Sequence, residues 1–302
     1  MIGRIPYVEQ PVLRLGPVTL AAFGVIVAAS VWAGLILGRR RFARLGLDLE
    51  VGEGLAWWVV AGGFVSAHLF SVLFYFPREL AENPLLLFKL WEDISSFGGI
   101  LGGALALWLF LRRRAPHLDV RARWAYVDVV AYVFPTSLMI GRLACTLAHD
   151  HPGTITSVPL AVSLARPEAR AYIADVYANA GRAAELPAPD VLARLGFHDL
   201  GWYEFLYLAA VVVPVTWYLA RRPRRPGAFL ASFVALYMPV RFLLDFLRVS
   251  DVRYAGLTPA QWVAAASLAA LGAYAVRTRW GAHAGDTADA SPTPTRPQPP
   301  TS

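Results

Sequence analysis

The sequence predicts an all-α integral membrane protein in which seven transmembrane helices carry a small external head domain between the fourth and fifth. Three observations lead there. Of 302 residues, 57% are hydrophobic and 16% charged, with a mean hydropathy of +0.47, which is too apolar for an ordinary soluble domain. Seven runs in the chain approach the roughly 20 apolar residues that a helix needs to cross a hydrocarbon core about 30 Å thick. Arginines then cluster at every second connection between those runs, the pattern of short cytoplasmic loops.

The runs cover residues 18–38, 54–76, 94–111, 125–148, 202–220, 227–247 and 258–276. They are continuous and rich in Leu, Ala, Val and Gly, whereas the strands of a membrane β-barrel alternate in hydrophobicity. Arg39, Arg40, Arg41 and Arg44 follow the first; Arg112, Arg113, Arg114, Arg121 and Arg123 separate the third from the fourth. Arg221, Arg222, Arg224 and Arg225 separate the fifth from the sixth, and Arg277 and Arg279 follow the seventh. This phase places the N-terminus outside and the C-terminus in the cytoplasm, and it accounts for the net charge of +7 without a nucleic-acid surface. Met1–Pro17 lacks the order of a cleaved signal peptide, so the first run is expected to be a retained helix. Residues 1–148 therefore read as transmembrane helices one to four, 149–201 as an external head, and 202–280 as helices five to seven. The proline-rich stretch 281–302 reads as a disordered cytoplasmic tail. Within the head, Pro167–Arg194 has Ala-rich helical patterning interrupted by Pro187 and Pro189, and Gly153–Leu164 reads as loop or short strand.

Ionisable groups inside a span cost several kcal/mol unless they are paired or face a polar cavity. Arg142, Arg241 and Asp245 are therefore the informative residues. Arg142, Cys145 and His149 recur at i, i+3 and i+7, one helical face; Tyr237, Arg241, Asp245 and Arg248 share a face of the sixth run. Two guanidiniums at one depth point to an anion between them, because the planar fork matches phosphate oxygens bidentately. The competing reading is pairing within the protein, Arg241 with Asp245 and Arg142 with Asp128 or Asp150. His149-Asp150-His151 offers a general base at the membrane boundary or simple loop capping. As a metal site it supplies too few ligands at a poor spacing, so no metal and no cofactor are expected. Gly98, Gly99, Gly102 and Gly103 form overlapping GxxxG pairs that allow close helix packing or close approach of a substrate to the backbone. His68 and Glu204 read as pore-lining or bonded to neighbouring helices. A lone cysteine, Cys145, excludes an intramolecular disulfide.

Taken in order, these residues resemble the prolipoprotein diacylglyceryl transferase family. The resemblance is carried by Leu15-Gly16-Pro17 before a helix containing Gly24; Leu73-Phe74-Tyr75 with Asn83-Pro84; Ser96-Phe97-Gly98-Gly99; and Asp128. It continues through Gly141-Arg142-Leu143 with Gly153, His198 with Tyr203-Glu204, then Tyr237, Arg241, Asp245, Arg248 and Asp251 before Gly256-Leu257-Thr258. The resemblance implies seven spans, an external head, and transfer of the diacylglyceryl group of phosphatidylglycerol to the lipobox cysteine thiol of exported prolipoproteins. It implies that Arg142 and Arg241 hold the phosphate, oriented by Tyr237 and Asp245, with Gly98, Gly99, Gly153 and Glu204 around the substrate. The location implied is the bacterial cytoplasmic membrane, with membrane lipids as neighbours.

The chain departs from that pattern at several positions. Phe97 stands where the family usually has a histidine before the paired glycines, and Phe23 where it has a tyrosine; Cys145 and Asp150 stand for an asparagine and a glutamate, and His68 for an arginine. Because Phe97 cannot accept a proton, the base is expected to be His149 or His151, with Asp150 orienting an imidazole. The competing functions are a non-enzymatic relative that binds phospholipid or lipoprotein in the same cavity, and a small-anion transporter. The transporter reading calls for polar residues reaching both faces, whereas these concentrate in the outer half.

Overall fold

Six helices in the computed structural model, which describes residues 4–15, 18–89 and 94–288, are long and apolar enough to cross a membrane. A short hairpin, β1 (Val12–Leu15) paired antiparallel with β2 (Val18–Ala21), leads directly into α1 (Ala22–Arg44). Then come α2 (Leu49–Phe74), the short α3 (Pro77–Glu82), α4 (Ser96–Arg113) and α5 (Val120–Ala148). Polar residues set the starts. Asp48 Oδ1 accepts from Glu50 N at 2.8 Å, Ser95 Oγ from Gly98 N at 3.3 Å and Asp119 Oδ1 from Ala122 N at 2.7 Å, each satisfying an otherwise orphaned helix donor.

The six are α1, α2, α5, the composite helix Leu200–Leu219, the stretch Ala228–Leu247, and Pro259–Arg277. The 18-residue α4, which contains four glycines and ends in two arginines, is not among them. It nevertheless lies full length against α2, and the glycines are the reason. A Cβ on Gly98 would sit 2.4 Å from Phe70 Cβ, and one on Gly102 would sit 2.0 Å from Ser66 Cβ. The two backbones approach closely because nothing stands between them.

The composite helix consists of α8 (Leu200–Tyr207), a π-helical stretch at Leu208–Val212, and α9 (Val213–Leu219). Gly227, in the left-handed region at φ 83°, turns the chain into α10 (Ala228–Leu244), whose first turn donates to Asp128 of α5: Gly227 N at 2.8 Å and Phe229 N at 3.2 Å. That contact is the role of Asp128; it does not pair with Arg142. The last helix, α11 (Pro259–Ala288), runs into the stretch expected to be a disordered tail from 281, and residues 289–302 lie outside the described residues.

The polar connection between α5 and α8 folds around an apolar cluster that includes its Leu164, Ile173 and Phe197 and is completed by Tyr7 and Val249 from outside it. It combines β3 (Pro152–Thr156), β4 (Val162–Ser163), α6 (Pro167–Asn179), α7 (Pro189–Leu192) and β5 (Gly196–Asp199). The sheet order is β3-β5-β4, all antiparallel, with Phe197 opposite both Ile155 and Val162. The sequence led to expect a strand in the region of β3 and β4 but not the central β5. The N-terminal segment docks on this sheet: Ile5 N donates to Ala161 O at 3.0 Å and Ser163 N to Ile5 O at 2.8 Å.

Candidate active site

Four charges meet between α5, α8 and α10. Glu204 stands at the centre. Its Oε2 lies 2.8 Å from Arg142 Nε and accepts from Tyr237 Oη at 2.5 Å, while Oε1 accepts from Arg241 Nη1 at 2.9 Å. The second nitrogen of Arg241, Nη2, lies 2.9 Å from Asp245 Oδ1, and Thr258 Oγ1 donates to Asp245 Oδ2. Arg142, Glu204, Arg241 and Asp245 are each at most 2% exposed. Two guanidiniums against two carboxylates make the cluster neutral, as burial in a low-dielectric interior requires. The anion between the arginines is thus a carboxylate of the protein. The reading of pairing within the protein is met in part: Arg241 pairs with Asp245 as expected, but Arg142 takes Glu204 rather than Asp128 or Asp150.

Arg142 has one further side. Its Nη1 lies 3.6 Å from Cys145 Sγ and 3.3 Å from His151 Nε2, and its Nη2 lies 3.4 Å from Tyr237 Oη. The contacts to His151 and Tyr237 are longer than ordinary hydrogen bonds of about 2.9 Å, and sulfur is a weak acceptor. Both terminal nitrogens of Arg142 are therefore loosely held, and Nη1 sits beside Cys145 and His151, which with Arg142 line a cavity. That cavity, of about 380 Å³, lies between α1, α2, α4 and α5; apolar residues such as Phe23, Phe64, Ile100 and Leu138 line most of it. Its ionisable lining is Arg142, Cys145, Asp150 and His151. Arg241 does not line it. A second cavity, of about 760 Å³, borders α4, α5 and α10 and takes in Arg112 and Arg123, but of the residues singled out for chemistry or packing it shares only Gly99 and Gly103 of the glycine motif.

The two histidines of the His-Asp-His segment part company at the end of α5. His149 caps that helix in the left-handed conformation, φ 50° and ψ 31°, so the i+7 relation to Arg142 fails at its last member. Its ring turns into the head, stacked on Tyr7 at 4.7 Å between centroids, with Nδ1 2.7 Å from Asp199 Oδ2 and Nε2 3.2 Å from Val8 O. His149 therefore touches neither Arg142 nor the cavity. The same reversal brings His151 back over Cys145 and Arg142. His151 Nδ1 is hydrogen-bonded to Asp150 Oδ1. A carboxylate at Nδ1 fixes the proton there and leaves Nε2, the nitrogen facing Arg142, bare. Burial pushes the Asp150 carboxyl up, but the neighbouring His151 and Arg142, with a hydrogen bond from Cys145, hold it below the usual carboxylate range.

Other candidates have packing roles. Gly98 meets α2, and Gly99 does so while also lining the cavity. A Cβ on Gly153 would come within 2.9 Å of Leu247 O and 2.8 Å of His198 Cβ, where β3 crosses the end of α10. Arg248 leaves the face predicted for it, because the α-helix ends at Leu244 and a 3₁₀ turn follows; it lies 2.9 Å from Asp251 Oδ1 instead. His68 Nε2 is 2.9 Å from Leu86 O, and His198 Nδ1 is 2.9 Å from Tyr203 Oη. Phe97 lies under Arg241, whose Cζ is 5.3 Å from the ring centroid. An aromatic face there supports the guanidinium by a cation–π contact. Asp199, which fixes His149, was not singled out from sequence, and Thr258, named there only within Gly256-Leu257-Thr258, fixes Asp245; each is a short polar residue at a helix start, and only the fold shows what it meets.

A family model described as prolipoprotein diacylglyceryl transferase matches residues 10–277. The chain is similar to the phosphatidylglycerol–prolipoprotein diacylglyceryl transferase of Chromohalobacter salexigens, 30% identical over 247 residues that cover 82% of this chain and 81% of that protein. It is 30% identical to the protein of that name from Xanthomonas oryzae pv. oryzae, over 81% of this chain and 80% of the other. To the one from Pseudomonas paraeruginosa it is 27% identical, over 82% and 83%.

Proposed function

We propose that this chain, which belongs to the prolipoprotein diacylglyceryl transferase family, is a multi-pass membrane enzyme that transfers the diacylglyceryl group of phosphatidylglycerol to the lipobox cysteine thiol of an exported prolipoprotein. The observation that carries this reading is the cavity whose apolar walls end at the loosely held Nη1 edge of Arg142. Apolar walls suit acyl chains, and a guanidinium edge suits the phosphate.

In the reaction, the thiol sulfur bonds to the glyceryl carbon next to the phosphate, and the bond from that carbon to the phosphate oxygen breaks. Glycerol phosphate leaves with one more negative charge than the phosphodiester had. Donors aimed at developing charge stabilise the transition state more than the ground state, and Arg142 is the donor so placed. Arg241 acts at one remove: it holds Glu204, and Glu204 holds the Arg142 fork. Tyr237 and Asp245 position the two guanidiniums. The thiol proton goes to His151 Nε2, with Asp150 keeping the ring in the required tautomer. His149 is a structural residue of the head.

We also read α4 as a seventh span. Ile5 bonds to Ala161 and Ser163, so the N-terminal segment and the head share one side of the membrane. That needs an even number of crossings between them, and α1, α2 and α5 alone are odd. With α4 counted, the arginine clusters share the side opposite the head, and the cytoplasmic preference of arginine-rich short loops supports an external head, with Arg142 and His151 near the external face of the bacterial cytoplasmic membrane.

The test is expression in bacteria depleted of their own transferase, with lipid-labelled prolipoprotein as the readout. Restored labelling by the parent chain and none by Arg142→Ala is the expected result. Absence of labelling by a folded, membrane-inserted parent would leave the non-enzymatic lipid-binding relative as the better account.

A further inference from the structure

As a continuous segment, His149-Asp150-His151 makes a poor metal site, and the fold changes which residues are available. His149 is turned away, but Cys145 enters from the last turn of α5. The sulfur of Cys145, a carboxylate oxygen of Asp150 and a ring nitrogen of His151 all lie within 4.8 Å of one another. We propose that these three side chains form a binding site for Zn²⁺ at the thiol end of the cavity, and that the bound ion switches transfer off.

Four observations support the site. The donor set is right, since thiolate, imidazole and carboxylate are the ligands zinc selects among. The spacing is close to sufficient: bonds of about 2.3 Å to sulfur and about 2.0 Å to nitrogen and oxygen spread tetrahedral ligand atoms roughly 3.3–3.6 Å apart. The present atoms need move inward by about 1 Å at most. Access exists, because the Asp150 side chain is 34% exposed and that of His151 14%, while Cys145 beneath them is buried. All three residues line the cavity, and three protein ligands beside an open space are the arrangement of a reactive rather than a closed zinc site.

Charge is the main objection, because Arg142 Nη1 lies 3.6 Å from the sulfur. Its partner answers it: Glu204, 2.8 Å from Arg142 Nε, already neutralises that guanidinium. The ion's two positive charges are then met by the Asp150 carboxylate and the Cys145 thiolate. Binding displaces one proton, from the Cys145 thiol to solvent, with no change of oxidation state. Once coordinated, His151 no longer presents a free Nε2 to the cavity, and the acceptor thiol meets a blocked position. This consequence rests on the proposed role of His151 as base; the binding itself does not.

The experiment uses the full-length chain in nanodiscs, first stripped with a chelator, and Co²⁺ as a spectroscopic stand-in for zinc. Cys145 is the only cysteine, so a thiolate-to-cobalt absorption band can arise from no other residue. The expected result is such a band, saturating at one ion per chain and removed by Zn²⁺. Cys145→Ser should abolish the band, and His151→Gln should weaken Zn²⁺ binding by more than the roughly 10- to 100-fold that outer-shell groups contribute. A parent chain without the band, or Zn²⁺ affinity unchanged in both variants, overturns the site. Transfer to a lipobox peptide is then followed during Zn²⁺ titration, with reversal by chelator expected. Stimulated transfer would overturn the inhibitory role. An occupied site with undiminished transfer would refute both the switch and His151 as base, leaving the metal site standing. An absent site with transfer still abolished by His151→Gln would refute the zinc proposal alone.

Discussion

Two regions of the membrane-embedded core stand out in the sequence for opposite reasons, and they work in opposite ways. The seam between α2 and α4 is made of glycines, and its backbones meet with no polar business to settle. The cluster between α5, α8 and α10 is made of charges, and each buried charge there has a partner. The difference is what remains unused. The seam spends its glycines on helix contact and gives a cavity only apolar wall, whereas the cluster leaves one weakly bonded polar edge, at Arg142, beside that cavity. A conspicuous residue in a span is therefore not a reactive one until its partners have been counted. Gly98 and Arg142 were both site candidates, and only the second has spare bonding capacity.

The comparison breaks most sharply at Arg142. Arg142→Ala should reduce transfer at least about 10²- to 10³-fold, the cost of losing a preorganised donor to a developing anion, measured with purified protein and a lipobox peptide. It also leaves Glu204 as a buried charge with one fewer partner, a loss of order 3–5 kcal/mol, so transfer should be normalised to folded protein. Arg142→Lys should recover folding better than activity, because an ammonium cannot serve Glu204 and a phosphate at once. Equal transfer by parent and Arg142→Ala would remove the distinction between the two regions.

The seam predicts the reverse pattern. Gly102→Val should lower thermal stability, since even a Cβ there would stand 2.0 Å from Ser66, and overpacking costs about 1–3 kcal/mol. Transfer per folded molecule should survive. A folded Gly102→Val protein devoid of activity would show that the seam shapes the substrate cavity directly.

A third prediction separates the two histidines. His151→Gln should lose transfer by about 10²-fold or more, the usual contribution of general base catalysis, with little change in melting. His149→Gln should lower melting through lost contacts to Asp199 and Val8 while transfer per folded molecule stays near the parent value. The opposite assignment would return the base to His149.

The smallest effect belongs to His198. Burial lowers its pKa below 6.5, so folding favours the neutral ring. The stability this ring contributes is present above pH about 6.5 and is lost as the pH falls through the lower folded value. His198→Gln should flatten that part of the melting-versus-pH curve and leave transfer at neutral pH unchanged.

Apolar run length made the six long helices legible, as in the 29-residue α5, and helical periodicity grouped the residues along them. That periodicity brought Arg142, Arg241, Tyr237 and Asp245 to the right faces. It failed where the helical period stops. The i+7 extrapolation from Arg142 to His149 crosses a left-handed residue, and the extrapolation from Asp245 to Arg248 crosses a 3₁₀ turn. Cys145 meeting His151 depends on the first of those reversals. Glu204 as the common partner of both arginines depends on how three helices are set against one another, which no single helix encodes.

That setting draws attention to the π-helical stretch at Leu208–Val212, one turn beyond Glu204. An additional residue in a helical turn is a phase shift: it rotates everything on one side by about 100° relative to the other, a full residue step of the 3.6-residue period. The helix can thus present Glu204 to the arginines near its start while Val213 and Thr216 pack inward further along, two azimuths that a regular helix would not offer together. Removing a single residue from this stretch would change no side chain of the site and yet swing the carboxylate out of alignment with both guanidiniums.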